Sequence, residues 1–241
     1  IAGELPENVE LSIQAAVLSP GVPTDIPLVN RMRDRGVQIL GEIELGFLAE
    51  QGRVIAITGT NGKTTTTTLT GEIMKAHFGK DKTFVVGNIG NPYTLEADKT
   101  SKDSVTVGEI SSFQLETIHT FHPVVSAILN ITPDHLNRHH TMEAYVTAKE
   151  AVASQQTKAD ICVLNYDNDY TRDFAGRCPA TPVLFSSHQE LKNGYFLRGD
   201  KIIKSVNGEE HELMDIHKDM NLVGLCNVEN VMAAIAIAEG M

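Results

Sequence analysis

The sequence predicts an α/β fold, a mainly parallel sheet flanked by helices, and three observations carry that reading. Short β-branched runs alternate with helix-compatible stretches along most of the 241 residues, the pattern of strands joined by covering helices. One run, Val54-Ile55-Ala56-Ile57-Thr58, is almost wholly apolar, as a strand buried on both faces of a parallel sheet must be. It passes straight into Gly59-Thr60-Asn61-Gly62-Lys63-Thr64-Thr65 and then a helix to about residue 77.

The elements follow in order. Residues 14–18 read as a strand running into the turn Ser19-Pro20-Gly21. Asp25 is expected to cap a helix with Pro27 in its first turn, ending at Gly36. Residues 37–40 read as a strand and 42–50 as a helix stopped by Gly52, so the first fifty residues resemble the last part of a doubly wound unit. After the Gly-rich loop, strands are expected at 84–86, 104–107, 124–129 and 161–164, with a helix at 141–153. Tyr195-Phe196-Leu197 and Lys201-Ile202-Ile203 flank Arg198-Gly199-Asp200 as a small hairpin, and residues 228–239 form a last helix with an Ala/Ile/Met face.

Composition narrows the function. Lys plus Arg number 20 against 31 Asp plus Glu, a formal charge of −11, which argues against non-specific binding to nucleic acid or anionic membrane. No apolar run approaches the ~20 residues that span a bilayer, and 41% apolar residues suffice for a core. Cys162, Cys178 and Cys226 are too widely spaced for a disulfide framework or a zinc knuckle. A reduced, cytoplasmic protein is expected. The opening Ile1-Ala2-Gly3-Glu4 carries neither an initiator Met nor a signal region, so the chain is expected to be a piece of a longer protein.

The loop at 59–65 has the parts of a phosphate cradle: backbone N–H groups and a helix N-terminus facing an anion, with glycines allowing close approach. Lys63 would reach the outer phosphates and the Thr64 hydroxyl a Mg²⁺ ion. The loop departs from the standard P-loop, because position 57 is Ile and the first glycine is Gly59. The threonine run 64–68 begins a helix poorly, and hydroxyls turned toward phosphate and metal would give it a reason. Ligands of open parallel sheets bind beyond the strands' carboxyl ends. Glu109, ending one strand, and His135, soon after another, should therefore meet the loop. A carboxylate and an imidazole beside a triphosphate suit a partly hydrated Mg²⁺. A zinc reading of His135 and His139 lacks a third ligand. On spacing alone Lys149 is a surface lysine, Asn88 a turn residue, and Asn227 and Asn230 helix N-terminal residues.

Together these residues resemble the Mur ligases, which build the peptide of bacterial peptidoglycan. Gly59 to Thr65 is similar to that superfamily's ATP loop, which accounts for the shifted glycine. Glu109-Ile110-Ser111-Ser112-Phe113-Gln114-Leu115-Glu116 resembles the D-glutamate-adding branch. Asn88-Ile89-Gly90, residues 129–138, Ser19-Pro20-Gly21 and Leu40-Gly41-Glu42-Ile43-Glu44-Leu45 agree with it. The resemblance implies a tail of a Rossmann-like, UDP-binding N-terminal domain over 1–52 and a P-loop-type ATP-binding domain over 53–241. It implies ATP at Gly59, Thr60, Asn61, Gly62, Lys63, Thr64, Thr65 and Asn227, and two Mg²⁺ ions held by Thr64, Glu109, His135 and a carbamylated Lys149. Lys63, Glu109, His135 and Lys149 would be catalytic; Ser19, Pro20, Gly21, Asn88, Ser111 and Gln114 would lie by the substrate. Carbamylation needs a neutral amine, which Mg²⁺ and Lys63 nearby would favour. The implied reaction joins D-glutamate to UDP-N-acetylmuramoyl-L-alanine through an acyl phosphate. The D-glutamate site would belong to a further domain, so this chain alone is expected to make no product. A folylpolyglutamate-type ligase shares the ATP loop but not the Ser-Ser-Phe-Gln segment. A non-catalytic nucleotide-binding module would not need Glu109, His135 and Lys149.

Overall fold

The computed structural model describes residues 5–241; Ile1–Glu4, on which the expectation of a longer protein rests, lie outside them. The N-terminal stretch forms α1 (Glu7–Ser12), β1 (Ala15–Leu18), α2 (Pro27–Asp34), β2 (Gln38–Gly41) and α3 (Glu42–Ala49). β1 and β2 pair in parallel as a separate two-stranded sheet over a small core of Val29, Met32, Val37 and Ile39. Asp25 is not the cap of α2. Ile26 holds that position without a side-chain bond, and Pro27 opens the helix; a proline there has no N–H to satisfy. The Asp25 carbonyl instead accepts from Asn30 Nδ2 at 2.8 Å.

The chain continues through β3 (Arg53–Thr58), α4 (Lys63–Phe78), β4 (Thr83–Gly87), α5 (Tyr93–Glu96), β5 (Val105–Glu109), α6 (Ser112–Leu115) and β6 (Val125–Ile128). Then come α7 (Leu136–His139), α8 (Met142–Glu150), β7 (Ile161–Asn165), α9 (Asp169–Ala175), β8 (Thr181–Ser186), β9 (Gly194–Arg198), β10 (Lys201–Val206), β11 (Glu209–Asp215), α10 (Ile216–Asp219) and α11 (Leu225–Glu239). Among the described residues these strands make one nine-stranded sheet, ordered β11-β10-β9-β8-β7-β6-β3-β5-β4. It is parallel from β4 to β9, and antiparallel only at β9-β10-β11. The expected hairpin is thus joined by a third strand, β11.

β3 explains the two-layered core. Val54 and Ala56 face one apolar cluster with Ile43, Tyr93, Phe121 and Tyr145, while Ile55 and Ile57 face the other with Met74, Val107 and Met232. Helices α4 and α11 cover the second face. α4 lies so close to β4 that a Cβ on Gly71 would stand 2.7 Å from Val85 Cγ2. That proximity corrects the reading of the threonine run. Thr66, Thr67 and Thr70 are buried, and the Thr67 and Thr70 hydroxyls have no partner. They are compact side chains in a tight helix–sheet contact, and within the run only Thr64, Thr65 and Thr68 keep appreciable exposure.

The first cluster ties α3 to the larger sheet. Glu44, fully buried, accepts N–H bonds from His119, Thr120 and Phe121 at 2.8, 2.7 and 3.1 Å, and the Thr120 hydroxyl at 2.5 Å. Burial pushes its pKa up, but these four donors outweigh that and hold the carboxyl below the ordinary value.

Candidate active site

The parallel strands place their carboxyl ends, and the loops that leave them, on one edge. β3 ends at Thr58 and delivers Gly59–Gly62 into α4. β5 ends on Glu109, which sits in register between Ile57 of β3 and Gly87 of β4. Gly87 has φ +95°, and a Cβ there would fall 2.3 Å from the Glu109 carbonyl oxygen. Glycine is therefore required at this crossing.

The loop is stitched in place from beneath. Asn61 N–H donates to Asn130 Oδ1 at 2.8 Å and Asn130 Nδ2 returns a bond to the Asn61 carbonyl at 3.1 Å. Thr60 N–H donates to the Asn130 carbonyl at 2.9 Å, and the Thr60 hydroxyl meets Tyr145 Oη at 3.2 Å. Gly62, at φ +84°, lies over Asn230, whose Oδ1 would be 2.2 Å from any Cβ. Asn230 accepts from the Thr66 hydroxyl at 3.4 Å and donates to Asn227 Oδ1 at 3.3 Å.

Two lysines converge on this loop. Lys63 Nζ donates to the carbonyls of Gly59 and Thr60, both at 2.9 Å, and Lys149 Nζ donates to the same Gly59 carbonyl at 2.8 Å. Lys149 is only 1% exposed. Burial, reinforced by the positive charge of Lys63 and opposed by Asp134, pushes its pKa down to about 7. The dominant cause is thus burial, where the sequence reading gave the role to neighbouring charge. Burial also lowers Lys63, against the attraction of Glu109 and Asp134.

Glu109 is 2% exposed. Its Oε1 accepts from Asn88 Nδ2 at 2.9 Å, while its Oε2 is buried without a partner. A buried carboxylate oxygen left bare costs free energy unless a proton or cation meets it. His135 stands half exposed at the start of α7, in a left-handed conformation with φ 53°, 3.5 Å from Asp134 Oδ2. His139 is separate: buried, its Nε2 lies 3.0 Å from Ser112 Oγ, which removes it from any metal pair with His135. The donor set on this edge (carboxylate, hydroxyl, imidazole) suits Mg²⁺.

Ser111 and Gln114 close a capping box on α6: Ser111 N–H and Oγ both donate to Gln114 Oε1 at 2.9 Å. Ser19 and Pro20 share a narrow crevice with Phe113 and Gln114. Beyond β6, β7 and β8, next to Asn130, a polar cleft of about 380 Å³ is lined by Asp167, Asn168, His188, Gln189 and Glu229.

Comparison with known proteins now decides the family. The model of the Mur ligase middle domain matches residues 57–238. The chain belongs to the Mur ligase family. Curated UDP-N-acetylmuramoylalanine–D-glutamate ligases of Lachnospira eligens and Lachnoclostridium phytofermentans are 54% and 53% identical over 99% of the chain. The chain spans about half (52%) of the length of each of these relatives. A solved UDP-N-acetylmuramoyl-L-alanyl-D-glutamate–2,6-diaminopimelate ligase shares the fold at TM-score 0.63, with 20% identity, over 95% of this chain and 58% of its own.

Within this Mur ligase chain, the edge brings Gly59, Thr60, Asn61, Gly62, Lys63 and Lys149 together by direct contact or shared partners, and Glu109, held by Asn88, attracts Lys63 electrostatically. Asn227 reaches the loop through Asn230. Asn130, Tyr145 and Asn230 were not singled out as loop supports by sequence. Tyr145 had a readable signal: four residues before Lys149 on α8, it shares that helix face, and Lys149 Nζ lies 4.7 Å from its ring centre. Asn130 and Asn230 had none, because each meets the loop only through folding.

Proposed function

We propose that this chain is the ATP-using part of an ATP-dependent ligase that joins D-glutamate to UDP-N-acetylmuramoyl-L-alanine in cytoplasmic peptidoglycan precursor synthesis. In this reading, residues 53–241 are the ATP-binding domain and 1–52 the tail of the domain that holds the uridine nucleotide. The observation that carries it is Lys149, a buried lysine with pKa near 7 that shares the Gly59 carbonyl with Lys63. A neutral amine can add CO₂, forming an N–C bond and releasing a proton. The resulting carbamate would turn a lysine in an already cationic site into an anion able to support a cation.

The residues divide the work. N–H groups of residues 59–65 and Lys63 cradle the phosphates, and the cleft beside Asn130 takes the nucleoside. Thr64, Glu109, His135 and the Lys149 carbamate would hold two Mg²⁺ ions, and the Glu109 Oε2 that has no hydrogen-bond partner would be one of the ligand atoms. When bound, Mg²⁺ neutralises phosphate oxygens and steadies charge during transfer. The muramoyl substrate's carboxylate attacks the γ-phosphorus, releasing ADP and leaving an acyl phosphate; the D-glutamate amine then displaces phosphate and the amide forms. Ser19, Pro20, Gly21, Ser111 and Gln114 border the substrate, and Asn88 keeps Glu109 oriented.

The test is phosphate release by the complete protein from ATP and UDP-N-acetylmuramoyl-L-alanine, with and without D-glutamate. D-glutamate-dependent release is expected from the complete protein and none from residues 1–241 alone. Release that ignores D-glutamate, or equal turnover by the isolated chain, rejects the reading. A ¹³CO₂-derived carbamate signal, lost in Lys149→Ala, is expected in the same preparation.

A further inference from the structure

His135 is held in a costly conformation by residues to which no role has yet been given. Of the three non-glycine residues with positive φ among those described, two, His135 (53°) and His140 (65°), bracket the single turn of α7. Such backbone persists only where its surroundings over-determine it. Here the surroundings are Arg138 and His139.

Arg138 grips Glu116 with two nitrogens, Nη2 to Oε2 at 2.5 Å and Nε to Oε1 at 3.3 Å, and donates from Nη2 to the Val22 carbonyl at 3.1 Å. Its guanidinium lies 5.2 Å over the Phe113 ring, whose centre is 5.0 Å from that of His135. Glu116 also accepts from the Thr24 hydroxyl at 3.4 Å and faces His139 Nδ1 at 3.4 Å. Both charged side chains are only about 15% exposed. One ion pair therefore fastens α7, the end of α6 and the segment that follows Ser19–Gly21.

We propose that Arg138 and Glu116 form a positioning pair that fixes His135 and couples it to the 19–24 segment, so that the nucleotide-sugar side and the cation side move together. This rests on the ligase reading above. Arg138 touches no reacting atom in this scheme; it acts through the turn that carries His135. A planar guanidinium suits the task, since its fork fixes direction as well as distance.

The test uses the complete protein and four variants: Arg138→Met, Arg138→Lys, Glu116→Gln and the Arg138→Met/Glu116→Gln double. Arg138→Met is expected to lower kcat by ~10–100-fold, the scale of a small misplacement of a working group, while KM for ATP stays within about twofold. Mn²⁺ affinity in the presence of a non-hydrolysable ATP analogue, read by titration calorimetry, should fall several-fold. Arg138→Lys should recover part of both losses, and the double variant should be no worse than Arg138→Met, because the pair acts as a unit. Thermal midpoints should change far less than these quantities. Unchanged kcat and Mn²⁺ affinity in Arg138→Met, or losses that multiply in the double variant, overturn the proposal. If Arg138→Met does not fold, Glu116→Gln decides: an unaltered Mn²⁺ affinity there rejects the pair. Absence of D-glutamate-dependent product from the unmodified protein rejects the ligase reading itself, whereas normal product with insensitive variants rejects only the pair.

Discussion

The carboxyl edge of the parallel sheet and the antiparallel end of the same sheet handle charge in opposite ways. On β9-β10-β11, charges are exposed and matched. Arg198 bridges Glu190 and Glu210, at 2.6 and 2.7 Å, and Lys201 bridges Glu212 and Asp215, at 2.7 and 2.9 Å. These partners raise the pKa of both cations and lower those of Glu190, Glu210 and Asp215. On the carboxyl edge, Lys63, Lys149 and Glu109 are withdrawn from water without a salt-bridge partner among the described residues: two lysines share one neutral carbonyl, and one carboxylate oxygen has no hydrogen-bond partner. Exposed pairs are complete as they stand. A buried set with like charges adjacent and an orphaned oxygen is the kind of arrangement that functional sites carry.

Six substitutions would break or sharpen that contrast. The largest effect is expected from Lys63→Ala and Lys149→Ala, each lowering product formation by ~10²–10³-fold, the scale of losing one preorganised electrostatic group. Small carboxylates should partly restore Lys149→Ala and not Lys63→Ala; turnover assays of the complete protein decide. Next is Gly62→Ala, which forces a Cβ onto Asn230 Oδ1 at a backbone angle that side chains avoid. Nucleotide affinity by calorimetry should drop at least about tenfold, since the loop must shift by more than hydrogen-bond tolerance.

Third, Glu44→Ala strands three N–H donors, that of buried Phe121 among them, and a hydroxyl, a loss of about 2–4 kcal/mol in denaturant unfolding. The sign with pH is fixed by its lowered pKa: the stabilisation is present above the unfolded value of 4.5 and is lost as pH falls through the folded value. Lys149 gives the same sign in a higher window, because a lysine pKa lowered to about 7 means that the unfolded chain binds the extra proton between about pH 7 and 10.5. Stability should rise with pH across that window. Lys149→Met should flatten the rise in thermal unfolding; an unchanged slope would remove burial as the cause. The smallest effect is expected for Arg198→Ala, a shift in thermal midpoint of no more than about 2–4 °C, as for exposed pairs, and one that shrinks with added salt.

Legibility followed the same division. The parallel sheet, the loop and its lysine could be read because their signals are local: β-branched runs, glycines at fixed spacing, a following helix. β8 escaped because Pro182 interrupts a strand signal, and β11 because Glu209, Glu210 and Glu212 give an edge strand the composition of a loop. α1 buries no residue, so it had no apolar period to show. The threonine run 64–68 was misjudged for Thr66 and Thr67, since residue type does not reveal which positions of α4 are buried.

By itself, the sequence determined which chemical groups this protein can offer and the order of strand, loop and helix that offers them, because those depend on near neighbours. Tertiary structure decided the state of each group. Lys149, a surface lysine by spacing, is buried against a carbonyl 90 residues away, and Asn230 supports the loop helix across 164 residues. Burial and pairing are long-range properties, and a pKa follows from them rather than from the residue's name.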